Sequence, residues 1–427
     1  MAHLPTSLEV RLGDRPIGSL TKLPGDTTAF HFSTDYVEDA QRPTLSLGFL
    51  DAYGRARRPK ESSKGEVPPF FANLLPEGDL RRYVANRAGI SVNDDFALLW
   101  VTGDDLPGAV TVHDALGRPI PPRRDGGPEA EPPPQTLLRF SLAGVQLKFS
   151  AIENAYGGLT IPAQGRDGRS IVKLPSRHLS GVPENEFAML NYAAAVGVDI
   201  PAINVVALDE IEGLPDETSA LTGQALAIKR FDRRDDGTRI HIEDFNQIYR
   251  QNPRDKYDNY AFTHVCGTIY RVMGNAALVD FINRLVFNVG IANNDMHLKN
   301  WSVIYRDGRT PALAPAYDYV CTKAYLGHSE TGLALGSARY FSEVTIEQFE
   351  RMAQRATVST RLVRRTALAM VDRMQEEWQA VKERVPPSAA AIIDEQFRRV
   401  PLFSGSHQTP VEAPPAPAPS PQHDEVS

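Results

Sequence analysis

The chain has 427 residues, 42% of them hydrophobic and 23% charged, with a formal net charge of −7. That length exceeds one typical core, so two or three domains are expected in an ordinary globular composition. The acidic balance gives no support for direct, non-specific nucleic-acid binding, which rests on Lys and Arg against phosphates.

The first residues, MAHLPTSLEVRLGDR, lack the basic-then-apolar pattern of a secretory signal. LEVRLGDRPIGSL (8–20) alternates apolar and polar positions about a Gly-Asp turn, which predicts a hairpin. PPFFANLLPEGDLRRYVANRAGI (68–90) carries a Pro-Glu-Gly turn leading into a helix that starts near Asp79, with Phe70, Phe71, Leu74 and Leu75 as core. Residues 1–118 thus read as a small, β-rich N-terminal subdomain. Residues 119–136, rich in Pro, Gly and charge, read as a linker or exposed loop, because they bury too little to offset their ordering entropy.

Residues 137–250 read as mixed strand and helix, with strands expected at 137–141, 158–162, 169–174, 202–208 and 225–230. A helix at 184–196 is closed by Gly197. Residues 251–405 read as mainly helical, and 406–427 as a disordered Pro-rich tail. Cys266 and Cys321 are too few for a metal or disulfide framework and read as reduced, buried thiols of a cytoplasmic protein. No window reaches ~18 uninterrupted apolar residues, so no membrane span is expected. The whole reads as α+β, a small sheet-rich lobe followed by a larger helical lobe, which is the layout of kinase-like folds.

Chemistry concentrates in FINRLVFNVGIANNDMHLKN (281–300). Leu278, Phe281, Ile282, Leu285 and Val289 fall at helical spacing, so a buried helix runs into six polar groups within eight residues. Phosphoryl transfer needs a carboxylate beside the attacking hydroxyl and an amide oxygen on Mg²⁺, which protein kinases supply with an Asp and an Asn five positions apart. Asp295 and Asn300 have that spacing, although the His follows the Asp here, as His297, where the common kinase signature puts it before. Asp318, in APAYDYV (314–320), comes after a short strand-like segment, WSVIY, and an Asp-Gly turn, as a metal-holding kinase Asp does. Lys173 ends a β-branched strand, and Glu186, 13 residues on, is a candidate partner that would steady it against nucleotide phosphates. FSLAGVQLKFS (140–150) is a candidate phosphate-covering loop, in which the small Ser141, Ala143 and Gly144 allow backbone N–H groups to approach phosphate. ALAIKRFDR (225–233) is either the hinge between lobes, with backbone groups from Ile228 to Phe231 on adenine, or an ordinary edge strand.

In this order, SLAGVQLK, IVKLP, ENEFAMLNYAA, IKRFDR, EDFNQ, NNDMHLKN and APAYDYV resemble the HipA-type toxin kinases of bacterial toxin–antitoxin systems, and FFANLLPEGDLR resembles the small domain fused ahead of the kinase there. The resemblance covers about residues 6–405. It implies a two-lobed fold related to phosphatidylinositol-type kinases, whose catalytic loop is also ordered D-x-H-x-x-N. It further implies ATP and Mg²⁺ as cofactors, with Asp295 as catalytic base, Asn300 and Asp318 on the metal, Lys173 on the phosphates, and His297 and Lys299 supporting the loop or phosphates. Ser141 would be an inhibitory autophosphorylation site, where a phosphate would repel those of ATP. The implied partners are a HipB-like helix-turn-helix antitoxin, through which alone DNA would be reached, and a protein substrate such as an aminoacyl-tRNA synthetase. Leu147 and Lys229 stand where a well-known member carries Glu. A small-molecule or lipid kinase on the same scaffold, or a dormant co-repressor, are the alternatives.

Overall fold

The computed structural model describes residues 4–57, 65–118, 148–153, 159–161, 168–176, 178–214 and 218–405. The expected linker, the candidate strand at 137–141, the loop residues Ser141, Ala143 and Gly144, and the tail lie outside the described residues.

The N-terminal unit is an antiparallel sheet of β1 (Ser7–Leu12), β2 (Arg15–Leu23), β3 (Thr27–Phe32) and β4 (Val110–Asp114), in the order β3-β2-β1-β4. Its first hairpin turns at Gly13, whose φ of 60° favours glycine. Alternation puts Leu8, Val10 and Leu12 on the buried face. Helices α1 (Thr34–Glu38), α2 (Pro69–Ala72), α3 (Gly78–Ala88) and α4 (Asp95–Thr102) complete the unit. Phe70, Phe71, Leu74 and Leu75 are core as expected, with the Phe71 ring 4.8 Å from that of Phe30.

The second sheet contains β5 (Lys148–Glu153), β6 (Leu159–Thr160), β7 (Ser170–Lys173), β8 (Ile203–Ala207), β9 (Ile211–Glu212) and β10 (Gln224–Lys229), in the order β8-β10-β7-β5-β6-β9. The edge-strand reading of 225–230 is overturned, because β10 pairs with β8 on one side and β7 on the other. The unbroken apolar run Ala225–Ile228 is what a strand buried on both faces needs. Helix α5 (Val182–Ala195) follows β7. Pro183 sits in its first turn, and Gly197, at φ 84°, closes it. The outer face of α5 belongs to the large lobe. Tyr192 donates to the Met374 carbonyl at 2.5 Å, and its ring lies 5.2 Å from Phe287 and 5.4 Å from Trp378.

The large lobe carries a small antiparallel sheet, β11 (His241–Asp244), β12 (Ser302–Tyr305) and β13 (Ala312–Leu313), with α6 (Phe245–Ile248) and the long α7 (Phe262–Gly290). Then come α8 (Lys323–Leu326), a hairpin of β14 (Glu330–Leu335) and β15 (Ala338–Tyr340), and helices α9 (Ile346–Arg355), α10 (Thr360–Val381), α11 (Pro387–Arg399) and α12 (Pro401–Ser404). By length and composition α7 could cross a membrane. It is instead broken at Gly274 (φ 79°, ψ −166°), and beyond that break Leu278, Phe281, Ile282, Leu285 and Val289 have no exposed surface. Its apolarity is that of a core helix. Cys266 and Cys321 are buried free thiols, pushed up to about 12 by burial and therefore poor nucleophiles.

Candidate active site

Helix α7 delivers the chain into 293–300 through Ala292, held in the left-handed region at φ 53°. The segment that follows is not an exposed loop, since Asn293 and His297 are 1% exposed and Asp295 7%. Buried polar groups must be bonded to be tolerated, and Asn293 is the centre of that bonding. Its Oδ1 accepts from the Asp295 amide at 3.1 Å, and its Nδ2 donates to Asn288 Oδ1 at 2.7 Å and to the Asp318 carbonyl at 3.3 Å. One amide thus ties the 293–300 segment to the segment carrying Asp318. Asn300 folds back so that its Nδ2 donates to the Asp295 carbonyl at 2.8 Å, which leaves its Oδ1 as the acceptor face.

The segment carrying Asp318 is fixed from two directions. The side chain of Asn185, in α5, accepts from the Cys321 amide at 2.9 Å and donates to the Cys321 carbonyl at 3.3 Å. Tyr317 Oη donates to the Lys299 carbonyl at 2.9 Å. Asp318 itself sits at φ 56°, a conformation that Asp adopts more readily than most residues. It caps no helix; its carboxylate accepts from Lys173 Nζ, which also donates to Glu186 at 2.6 Å. Lys173, Glu186 and Asp318 therefore form one chain of charge between β7, α5 and the large lobe. Burial alone would pull the Lys173 ammonium down, but the two carboxylates outweigh it and hold the ammonium above its usual value. Burial pushes Asp318 up, yet Lys173 and Lys148 outweigh it and keep the carboxyl at about 2. Asp295 has no such cation on its own carboxylate. Burial raises it to about 6, against the opposing pull of the Tyr257 hydroxyl and Lys256.

Several residues of this centre carry no signal in the sequence. Lys148 opens β5 directly opposite Lys173, and its charge acts on both Asp318 and Glu186. A lysine at the end of the candidate phosphate-covering loop could have suggested it. Tyr257 donates its hydroxyl to Asp295 Oδ1, and its ring meets that of His297 edge-on at 5.0 Å. Nothing in DKYDNY marks it. Lys299 turns toward the N-terminal unit, where Nζ donates to Glu77 and to the Asn73 carbonyl at 3.4 Å. His297 has no hydrogen-bond partner for either ring nitrogen among the described residues. Its Nε2 is 3.7 Å from Asp295 Oδ1, and burial holds the imidazole well below its usual value, hence neutral. At the hinge, Ile228 is engaged in the ladder with Ile203 and Ile171. Phe231, just beyond, sets its ring 5.8 Å from Tyr317, next to Asp318.

The donor set fits Mg²⁺. Among the described residues no group of three or more His, Cys, Asp and Glu could enclose a metal. One carboxylate, Asp318, and one amide oxygen, Asn300 Oδ1, are hard donors of the kind that bind Mg²⁺ together with water and substrate phosphates.

Known proteins resemble this chain in sequence and in fold. The sequence model of the HipA-like C-terminal domain matches residues 140–378, and that of the HipA N-terminal domain matches 8–113. The chain is 46% identical over 404 residues to Y4dM of Sinorhizobium fredii, provisionally named a kinase, covering 93% of this chain and 98% of that one. It is 26% identical over 358 residues to the serine/threonine-protein kinase toxin HipA of Shewanella oneidensis, covering 75% and 76% of the two chains. In fold it is similar to a chain of the Shewanella oneidensis MR-1 toxin–antitoxin complex of HipA, HipB and operator DNA. The TM-score is 0.71 at 23% identity, with 91% of this chain and 95% of that one covered.

Proposed function

Since the chain belongs to the HipA family, we propose that it is an ATP- and Mg²⁺-dependent serine/threonine-protein kinase, the toxin of a HipBA-like system. The observation that carries this reading is the meeting of Asp295, Asn300 and Asp318 on one buried amide network beside the Lys173–Glu186 pair. Bound Mg·ATP supplies the phosphoryl group, and the cation neutralises charge on the phosphates. Asp318 and Asn300 Oδ1 are the residues that would hold the cation. Lys173, fixed by Glu186 and joined by Lys148, holds the α- and β-phosphates in place of the apo contact to Asp318. The loop with Ala143 and Gly144 covers them. Of the hinge residues, Ile228 is paired in the ladder and the amides of Lys229 and Arg230 donate to the Ala202 and Arg169 carbonyls, so the adenine would take the backbone of Phe231. Asp295 would accept the proton of the acceptor hydroxyl as the hydroxyl oxygen bonds the γ-phosphorus and the bond from that phosphorus to the β-phosphate oxygen breaks, releasing ADP. The neutral His297 packs behind that carboxylate.

The remaining parts of the reading follow the family. The acceptor belongs to a protein of translation, such as an aminoacyl-tRNA synthetase, in the cytoplasm. Phosphorylation of Ser141 shuts the enzyme off, and a HipB-like antitoxin restrains it and carries it to DNA. Incubating the purified chain with γ-labelled ATP, Mg²⁺ and a cell lysate tests this. Label on a protein band and on Ser141, absent with Asp318→Asn, is expected. Label confined to small molecules would move the assignment to a small-molecule or lipid kinase.

A further inference from the structure

We propose that the N-terminal unit completes the kinase centre through Glu77, a positioning residue that holds the catalytic loop by way of Lys256 and Lys299. The segment FFANLLPEG has two faces. Phe70, Phe71, Leu74 and Leu75 enter the N-terminal core, whereas Asn73 and Glu77 reach the large lobe. Glu77 accepts from Lys256 Nζ at 3.1 Å and from Lys299 Nζ. These lysines are the immediate chain neighbours of the two residues that hold Asp295. Tyr257, next to Lys256, donates to the Asp295 carboxylate, and Asn300, next to Lys299, donates to the Asp295 carbonyl. One carboxylate from another domain therefore sets both flanks of the base.

The electrostatics agree with this geometry. Lys256 is 7% exposed, and two ammonium groups brought to one point repel unless an anion lies between them. Burial would raise the Glu77 carboxyl, but Lys299 and Lys256 outweigh it and hold it well below the usual range, so it stays ionised. Gln at position 77 keeps the size but removes the one negative charge that accepts from both lysines, and Asp is one methylene short of spanning them. Lys173, by contrast, is held by Glu186 and Asp318 without the N-terminal unit. The expected defect therefore lies in turnover rather than in nucleotide binding.

The inference rests on the reading of Asp295 as catalytic base. Its test compares full-length wild type, Glu77→Gln and Glu77→Asp in Mg·ATP-dependent phosphate transfer, with thermal melting as a check on folding. Glu77→Gln is expected to lower kcat on the order of tenfold or more, with the KM for Mg·ATP changed by less than about threefold, and Glu77→Asp to fall between it and wild type. Combining Glu77→Gln with Lys299→Met should cost less than the sum of the two single losses, because they share the Lys299 contact while Glu77 keeps a second one to Lys256. If Glu77→Gln fails to melt cooperatively, Glu77→Asp decides by the same kcat criterion. A folded variant turning over at the wild-type rate, or one whose loss lies wholly in KM, overturns the inference. A wild-type chain that transfers no phosphate would overturn the proposed function instead.

Discussion

Lys173 and Lys299 are both cations of the cleft that end on carboxylates, yet different parts of the molecule hold them. Lys173 finds its partners, Glu186 and Asp318, inside the kinase portion, 13 and 145 residues along the chain. Lys299 finds Glu77, 222 residues away in the N-terminal unit. On the proposed assignment, the nucleotide end of the site would be assembled by one domain and the acceptor end by two. A charge deep in a single lobe can be fixed by local strand-to-helix geometry. A charge on the catalytic loop faces the domain boundary and takes its counter-ion from across it.

The largest effects should come where the two ends meet. Asp295→Asn removes the proton acceptor and is expected to lower kcat by roughly 10² to 10⁴, the usual worth of a general base. Asp318→Asn should match that loss and in addition flatten the dependence of rate on Mg²⁺ concentration. Either variant transferring phosphate at the wild-type rate would dissolve the whole comparison. Next comes a contrast between the lysines themselves. Lys173→Met should weaken Mg·ATP binding measured by calorimetry as well as slow transfer. Lys299→Met should slow transfer by about tenfold and leave nucleotide affinity nearly unchanged. Equal losses of affinity in both would erase the division into a nucleotide end and an acceptor end.

The same division explains what the sequence disclosed. The Lys173–Glu186 pair could be read because a β-branched strand and a helix lie in immediate succession, so spacing stands in for geometry. Asp295 and Asn300 could be read because a single loop carries both, and Asp318 because only a short hairpin, β12–β13, intervenes. Tyr257, Lys256 and Glu77 could not. The contacts of Lys256 and Glu77 depend on how the N-terminal unit docks on the large lobe, and that of Tyr257 on the packing of two segments 38 residues apart, neither of which a local period encodes. The hinge was half legible. The apolar run Ala225–Ile228 signals a strand, but whether that strand is central or at an edge depends on its pairing with two partners, β7 and β8, both earlier in the sequence.

Docking itself is open to test at Asn73. Its Nδ2 donates to the Pro69 and Gln251 carbonyls, each at 2.8 Å, and its Oδ1 accepts from Asn246 at 2.9 Å. Asn73→Ala removes one acceptor from the wholly buried Asn246, whose Nδ2 still donates to the Gln251 and Asn252 carbonyls at 3.3 and 3.0 Å, so the cost is that of lost hydrogen bonds, about 1 kcal/mol. Denaturant unfolding should register that loss. If the domain boundary positions Lys299, kcat should fall with it, though by less than in Glu77→Gln, because the carboxylate is still present.

The smallest expected effect separates two kinds of carboxylate at the same boundary. Glu243 accepts from the Leu47 amide at 2.9 Å and from Tyr305 Oη at 2.5 Å, without a cation, and burial pushes it up to about 7. The adjacent Asp244 is likewise pushed up to about 7 by burial, although Lys299 opposes the shift. A carboxyl raised in the fold lends stability that is complete below its unfolded value, near 4, and disappears as pH rises through about 7. Glu77 has the opposite sign. Held down by two lysines, it lends stability above the unfolded value and loses it only as pH falls toward its depressed folded value. Wild-type stability should therefore decline between pH 5 and pH 8, and Glu243→Gln, neutral throughout, should decline less, by on the order of 2 kcal/mol. Glu77→Gln should leave that neutral-range slope intact and flatten only the acid limb below about pH 4. Melting curves taken across both ranges measure the two slopes separately. Identical slopes in the two variants would mean that the boundary does not distinguish a paired carboxylate from an unpaired one.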